Sequence, residues 1–263
     1  PNFFVKHVHE KFNVVKIEVN GRSLAAEVTA LLRPKPTGRV SLLSFKDKVK
    51  NEEFKSVKAL IIGGSRGLGE SVAKIIALGG GKSLITYAYG HDDAVNVANE
   101  ICNFGGNCSI CKLKVPEDLN VLDKLEKFNQ VYYFATPKIF GKRSFSYDKL
   151  VYQSFHEIYV NGFKDVVDCF KSKTNKTAIY YPSSVAIDAP SDELAEYIQA
   201  KIEGENLCKE LNNSENTHIF HSRIPRTQTD QTMTVSNVEA ANPEDVMLPV
   251  VREMSRMICI SAK

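Results

Sequence analysis

The sequence has no apolar run approaching the ~20 residues that a membrane-spanning helix requires, and its N-terminus lacks the charged, apolar and cleavage regions of a secretory signal. It has no concentrated basic stripe either. Its 34 basic and 31 acidic residues are scattered and leave a net charge of +3, which argues against a nucleic-acid groove. These absences predict a cytoplasmic protein with no membrane and no nucleic-acid partner. The first residue is Pro1 rather than methionine, so a piece of a longer parent is expected. Six cysteines (Cys102, Cys108, Cys111, Cys169, Cys208, Cys259) are spread through a chain too large to need staples, and reduced thiols are expected. Cys108 and Cys111 form a C-x-x-C in a strand-like run with no second ligand pair nearby, so they read as packing residues and no metal site is expected.

What is present is enough apolar sequence for a core: 43% of 263 residues. Residues 13–32 alternate apolar and polar. Val15, Ile17 and Val19 face one way, and Leu24, Ala26, Val28 and Ala30 follow an Asn20-Gly21 turn, which is the pattern of a β-hairpin. Arg33-Pro34-Lys35-Pro36-Thr37-Gly38 breaks the alternation, and the lysine-rich stretch 45–58 reads as a solvated linker. The expected division is an N-terminal hairpin extension and linker over 1–50, either a surface addition or the end of a preceding domain, and a second domain over 51–263.

From Lys58 onward, apolar strands alternate with helical periodicities, the sign of βαβ units around a parallel sheet. Strands are predicted at 58–62, 83–87, 108–113, 131–135, 177–181 and 218–224. Helices are predicted at 69–77, 93–104, 120–128, 147–171 and 193–211, and a plain surface helix at 243–254. Right-handed crossovers make this an α/β, Rossmann-type doubly wound sheet.

Directly after the first strand of that series comes Gly63-Gly64-Ser65-Arg66-Gly67-Leu68-Gly69, followed at once by a helix. Glycines permit a tight turn and close backbone approach to a pyrophosphate, and a helix N-terminus supplies unpaired N–H groups and the positive end of its dipole. In a strand-turn-helix setting this points to a dinucleotide. Further on, Tyr197 and Lys201 stand one helical turn apart and emerge on one face. Ser184 ends an apolar strand before them, and Asn161 lies in the helix before that.

The G-x-x-x-G-x-G spacing together with Asn161, Ser184, Tyr197 and Lys201 resembles the short-chain dehydrogenase/reductase family, in its ketoreductase-like form, over about residues 58–254. That resemblance implies an NADP(H)-dependent oxidoreductase acting on a small-molecule carbonyl. Tyr197 would supply the proton, Lys201 would stabilise its phenolate and hold the nicotinamide ribose, Ser184 would bond the substrate oxygen, and Asn161 would anchor a relay water. It implies cofactor contacts at Gly63, Ser65, Arg66, Gly67, Leu68 and Gly69, at Tyr87, Val115, Ala135 and Thr136, and at Pro225 and Thr229, besides Tyr197 and Lys201. Arg66 would pair with the 2′-phosphate of NADP, since Thr86-Tyr87-Ala88-Tyr89 offers no carboxylate for an NAD ribose. The other reading of Arg66 is an exposed loop cation; of Ser184, a strand-end cap; of Asn161, an incidental polar residue.

Residues 227–242 would form a substrate lid. Relatives pair two long helices across subunits, which implies a homodimer or homotetramer. The chain departs from the family at Tyr133-Phe134-Ala135-Thr136-Pro137, where Asn-Asn-Ala-Gly is usual, at Ile62, and at Lys114, where an acidic residue often touches adenine. The resemblance is therefore to a divergent member, and a non-catalytic nucleotide-binding or scaffold module is the alternative. The strand from Ala25 to Leu32 resembles the closing strands of a hot-dog dehydratase domain of the MaoC-like kind. That resemblance implies a parent chain joining two acyl-chain steps of lipid metabolism, with a 3-oxoacyl thioester as substrate. The bland reading is a strand pair added to a surface.

Overall fold

Leu60, Ile61 and Ile62 offer water no polar side chain on either face, so the strand they form has to be covered on both sides. The structure, a computed structural model, describes residues 2–10, 14–32, 40–125, 127–139, 146–171, 176–212, 216–232 and 238–260. Pro1, Asn13, the break at 33–38, part of the expected lid (233–237), the side chain of Cys259, and Ser261-Ala262-Lys263 lie outside these residues.

Among the described residues, nine strands form two sheets. The larger has β4 (Lys58–Ile62), β5 (Lys82–Tyr87), β6 (Asn107–Lys112), β7 (Gln130–Tyr133), β8 (Thr177–Ser184) and β9 (Thr217–Ile224), in the order β6-β5-β4-β7-β8-β9, all parallel. This is the doubly wound arrangement read from the sequence. Its strand order reverses between β4 and β7, which opens a crevice at their carboxyl ends. Helices α1 (Gly67–Leu78), α2 (His91–Asn103) and α6 (Pro243–Ile260) belong to one layer. There Ile61, Ile85 and Tyr180 meet Val72, Ile76, Met247 and Val251. Alternate residues of the same strands, Leu60, Val131 and Tyr181, meet Phe163, Val167 and Leu207 of α4 (Phe163–Lys171) and α5 (Ala195–Leu211) on the other face. The sixth helix, α3, spans Lys149–His156.

Four expectations need correction. Residues 45–58 are not a solvated linker: Phe45, Val49, Phe54 and Val57 are buried against α1 and α6. The lysines between them dominate the composition but point outward, as Lys48 does to Asp245. A buried lysine, Lys74 of α1, ties down the chain just ahead of this segment by donating to the Val40 carbonyl (2.6 Å) while pairing with Glu70 and Glu100. Second, α6 is no surface helix and runs on to Ile260, because Met247, Val251 and Met254 recur at helical spacing and are fully buried. Third, 120–128 is not an α-helix but a 3₁₀ turn, Leu119–Lys124. Fourth, 147–171 is not one α-helix: a π-helical stretch, Glu157–Gly162, separates α3 from α4.

The N-terminal alternation folds as read, with one addition. β2 (Val14–Asn20) and β3 (Ala25–Leu31) pair antiparallel, Val15 opposite Ala30 and Ile17 opposite Val28, around a turn in which Gly21 N–H bonds the Leu24 carbonyl. A further strand, β1 (Asn2–His9), completes a three-stranded sheet whose charged face is laced by Lys6, Lys16, Glu18 and Glu27.

Candidate active site

The glycine turn leaves β4 and enters α1 with Gly67 at φ +60°, a left-handed conformation that an L side chain resists. A Cβ on Gly69 would stand 2.4 Å from the Gly63 carbonyl oxygen, so the helix meets the turn only because that side chain is missing. Arg66 occupies the N-cap position without capping α1, since its side chain accepts nothing from the first turn. The N-cap residue thus leaves the start of α1 uncapped, and Gly67, Leu68 and Gly69 of its first turn line a cleft of about 800 Å³ over the carboxyl ends of the strands.

Most of the residues singled out from the sequence line this cleft. Gly63, Ser65, Arg66, Gly67, Leu68 and Gly69 form its floor at one end. Val115, Ala135 and Thr136 lie along it, and Ser184, Tyr197 and Lys201 stand at the other end. Pro225 and Thr229 cover it, with the Thr229 methyl near the open side of Gly67. Two do not join them. Tyr87 packs its ring edge-on against His91, 5.3 Å between centroids, and the tyrosine at the cleft is Tyr89, two residues on. Asn161 is exposed and donates from Nδ2 to Glu157 Oε2 at 2.8 Å. Of the π-helical stretch, Ile158 and Tyr159 line the cleft, and Tyr159, which the motif reading passed over, is buried.

At the reactive end, Tyr197 and Ser184 line the cleft together, and burial holds the Tyr197 pKa above the ordinary phenol value against a lowering influence of Ser184. Ser184 also serves as the cap foreseen for it, accepting from Ala186 N–H at 3.2 Å. Lys201 is buried and donates to the Pro182 carbonyl at 2.7 Å. Burial pulls its ammonium down to about 7, opposed by charge interactions with Cys208 and Glu205. Its Nζ lies 3.8 Å from the centre of the Tyr159 ring and 5.9 Å from that of Tyr197.

At the glycine-turn end, Arg66 pairs with Asp93 at the start of α2, and Lys114 sits 5.7 Å from the Tyr89 ring centre. Behind Ser184, Glu205 accepts from Ser183 and, with both oxygens, from Arg223, which holds its carboxyl down to about 2. This network braces the ends of β8 and β9 beneath the cleft.

Among the described residues no group of three or more histidines, cysteines or carboxylates is placed to hold a metal, and no helix is long and apolar enough to cross a membrane. Cys108 and Cys111 lie on β6, and burial pushes the Cys108 thiol up to about 11 and raises that of Cys111, so neither is a ready thiolate.

The chain matches no family model and no curated protein. Solved structures do resemble it. The landomycin C-6 ketoreductase LanV with bound NADP and rabelomycin superposes with a TM-score of 0.62 at 20% identity, covering 74% of this chain and 86% of that one. A short-chain dehydrogenase from Burkholderia cenocepacia in complex with NADP gives 0.67 at 16% identity, covering 76% and 91%. A putative short-chain dehydrogenase from Shigella flexneri complexed with NADP gives 0.68 at 16% identity, covering 78% and 93%. Likeness at this identity establishes the fold, the Rossmann-type α/β fold that short-chain dehydrogenases share.

Proposed function

We propose that this chain is a divergent short-chain dehydrogenase/reductase that uses NADPH to reduce a carbonyl to an alcohol. The observation that carries the reading is one cleft with an uncapped, glycine-built helix N-terminus at one end and Ser184, Tyr197 and buried Lys201 together at the other. The residues present fit a dinucleotide. The uncapped start of α1 suits its diphosphate, Tyr89 and Lys114 flank the position for an adenine, and Arg66 is the cation for a 2′-phosphate. In that role Arg66 exchanges Asp93 for the phosphate. NADPH, when bound, supplies the hydride that reaches the carbonyl carbon.

The chain's own residues deal with the oxygen. Ser184 holds it by a hydrogen bond and Tyr197 donates the proton to it. Lys201, when charged, favours the phenolate left behind. Because burial keeps Tyr197 protonated at neutral pH, the phenol is in the form that a reduction needs. Lys201 is charged below about pH 7, so the reductive rate should fall as pH rises through that value.

The substrate end is lined by Ile139, Val185, Ala189 and Leu194, which suits a neutral, apolar carbonyl compound. A 3-oxoacyl thioester is the substrate within that class favoured by the hot-dog-like sequence of β3. A cytoplasmic homodimer or homotetramer, paired through α3, α4 and α5, completes the reading. The second reading, a non-catalytic nucleotide-binding scaffold, draws on the outward-facing Asn161. NADPH consumption with a panel of cyclic ketones, aromatic polyketones and 3-oxoacyl thioesters separates the two: turnover of at least one is expected, whereas bound NADPH with no turnover on any would favour the scaffold.

A further inference from the structure

The cleft contains a buried aromatic that the proton-transfer chemistry above does not use. Tyr159 is fully enclosed yet reaches the cleft wall, and its two ends do different things. Its hydroxyl shares a 2.6 Å hydrogen bond with Thr136 Oγ1, which fixes the ring in place at the turn after β7. Its face lies 3.8 Å from Lys201 Nζ. An ammonium has three protons to satisfy, and among the described residues the Pro182 carbonyl alone takes one by an ordinary hydrogen bond. Two aromatic faces, those of Tyr159 and, at 4.8 Å, Tyr181, stand over the rest.

We infer that Tyr159 is a positioning residue of the reductase site, its ring face holding the Lys201 ammonium charged and aimed beneath Tyr197. The inference rests on the reductase reading and assigns to a ring a task for which Asn161 is not available. A cation over an aromatic face is attracted by the ring quadrupole, most strongly where water is excluded. The surroundings offer little else in that role. Glu205 and Cys208 act on Lys201 from further along α5, Tyr181 faces it from β8, and Tyr133 of β7 acts on Tyr159 in turn. Burial keeps Tyr159 itself a neutral phenol, so it contributes ring and hydroxyl but no charge. A π-helical stretch, which commonly marks a functional site inside a helix, is what brings this ring rather than Asn161 to the cleft.

The sign of the effect is fixed. Removing the ring withdraws stabilisation from the charged lysine, so the alkaline fall in kcat/KM should move to lower pH. For Tyr159→Leu in the full chain, that limb should move down by about one pH unit, with kcat at pH 7 reduced about fivefold and KM nearly unchanged. Tyr159→Phe keeps the ring and should restore the wild-type limb. Should the leucine variant fail to fold, phenylalanine with increasing ring fluorination at 159 keeps the shape while draining the negative face, and the limb should step downward with each fluorine. A wild-type limb in the leucine variant, or no trend along the fluorinated series, overturns the inference while wild-type turnover stands. Absence of wild-type turnover is instead a failure of the reductase reading, and the inference falls with it.

Discussion

Tyr197→Phe is expected to lower kcat for carbonyl reduction about a thousandfold, within the range that a positioned general acid contributes, and to leave NADPH binding and thermal stability nearly unchanged. The substitution removes one oxygen and keeps the ring, whose neighbours are Phe155 and Tyr159 at 5.8 Å between centroids. Packing is therefore conserved. What goes is the cleft hydroxyl that would donate the proton, and with it the group that Lys201 would assist. Steady-state kinetics alongside nucleotide titration checks this. Activity close to wild type would transfer the proton donor elsewhere and take away the role given to Lys201. Equal loss of activity and nucleotide binding would mean that the ring or its hydroxyl serves the cleft's shape rather than proton transfer.

Lys74→Met should cost about 3–5 kcal/mol of folding stability, the usual penalty for removing one partner from a buried ion pair, and so a large part of the 5–15 kcal/mol typical of a domain. Lys74 is fully buried, and its ammonium meets Glu70 at 2.7 Å, Glu100 at 2.8 Å and the Val40 carbonyl at 2.6 Å. Methionine fills the space but leaves a nearly buried carboxylate on Glu70 without its cation and frees the segment before β4 from α1. Glu100 would still accept from Leu42 N–H, which limits the damage at that end. Urea unfolding monitored by circular dichroism measures the change, and adding Glu70→Leu to Lys74→Met should recover much of it, because the uncompensated charge and not the lost contact is the expensive part. Stability unchanged in the single variant would mean that the segment is held by Phe45, Phe54 and Val57 alone.

The sheet was legible because both of its signals are local. Strands such as Ala59 to Ile62 and Ala178 to Tyr181 are short apolar runs, and the glycine turn comes directly after the first of them. Ser184, Tyr197 and Lys201 were legible because a strand end and one regular α-helix fix their relative placement. Failures came where an irregularity intervenes. A π turn inserts a residue and rotates the rest of the helix by about 100°, which carries Asn161 out to Glu157 and Tyr159 in to Lys201. At the end of β5 the chain bends at Ala88 and Tyr89, and it is Tyr89 rather than Tyr87 that reaches the cleft. Residues 45–58 misled through composition: lysines flank Phe45, Val49 and Phe54 in sequence, but only the apolar ones face the core. Arg66 met its expected location with an unexpected partner, Asp93, which lies beyond the strand end scanned for a carboxylate.

The claim on which the rest depends is that this cleft receives NADPH, and calorimetric titration of the purified chain with NADPH and, separately, with NADH tests it most directly. Saturable binding of NADPH, weaker binding of NADH, and loss of that difference in Arg66→Ser is the predicted result. No binding of either nucleotide would contradict the account.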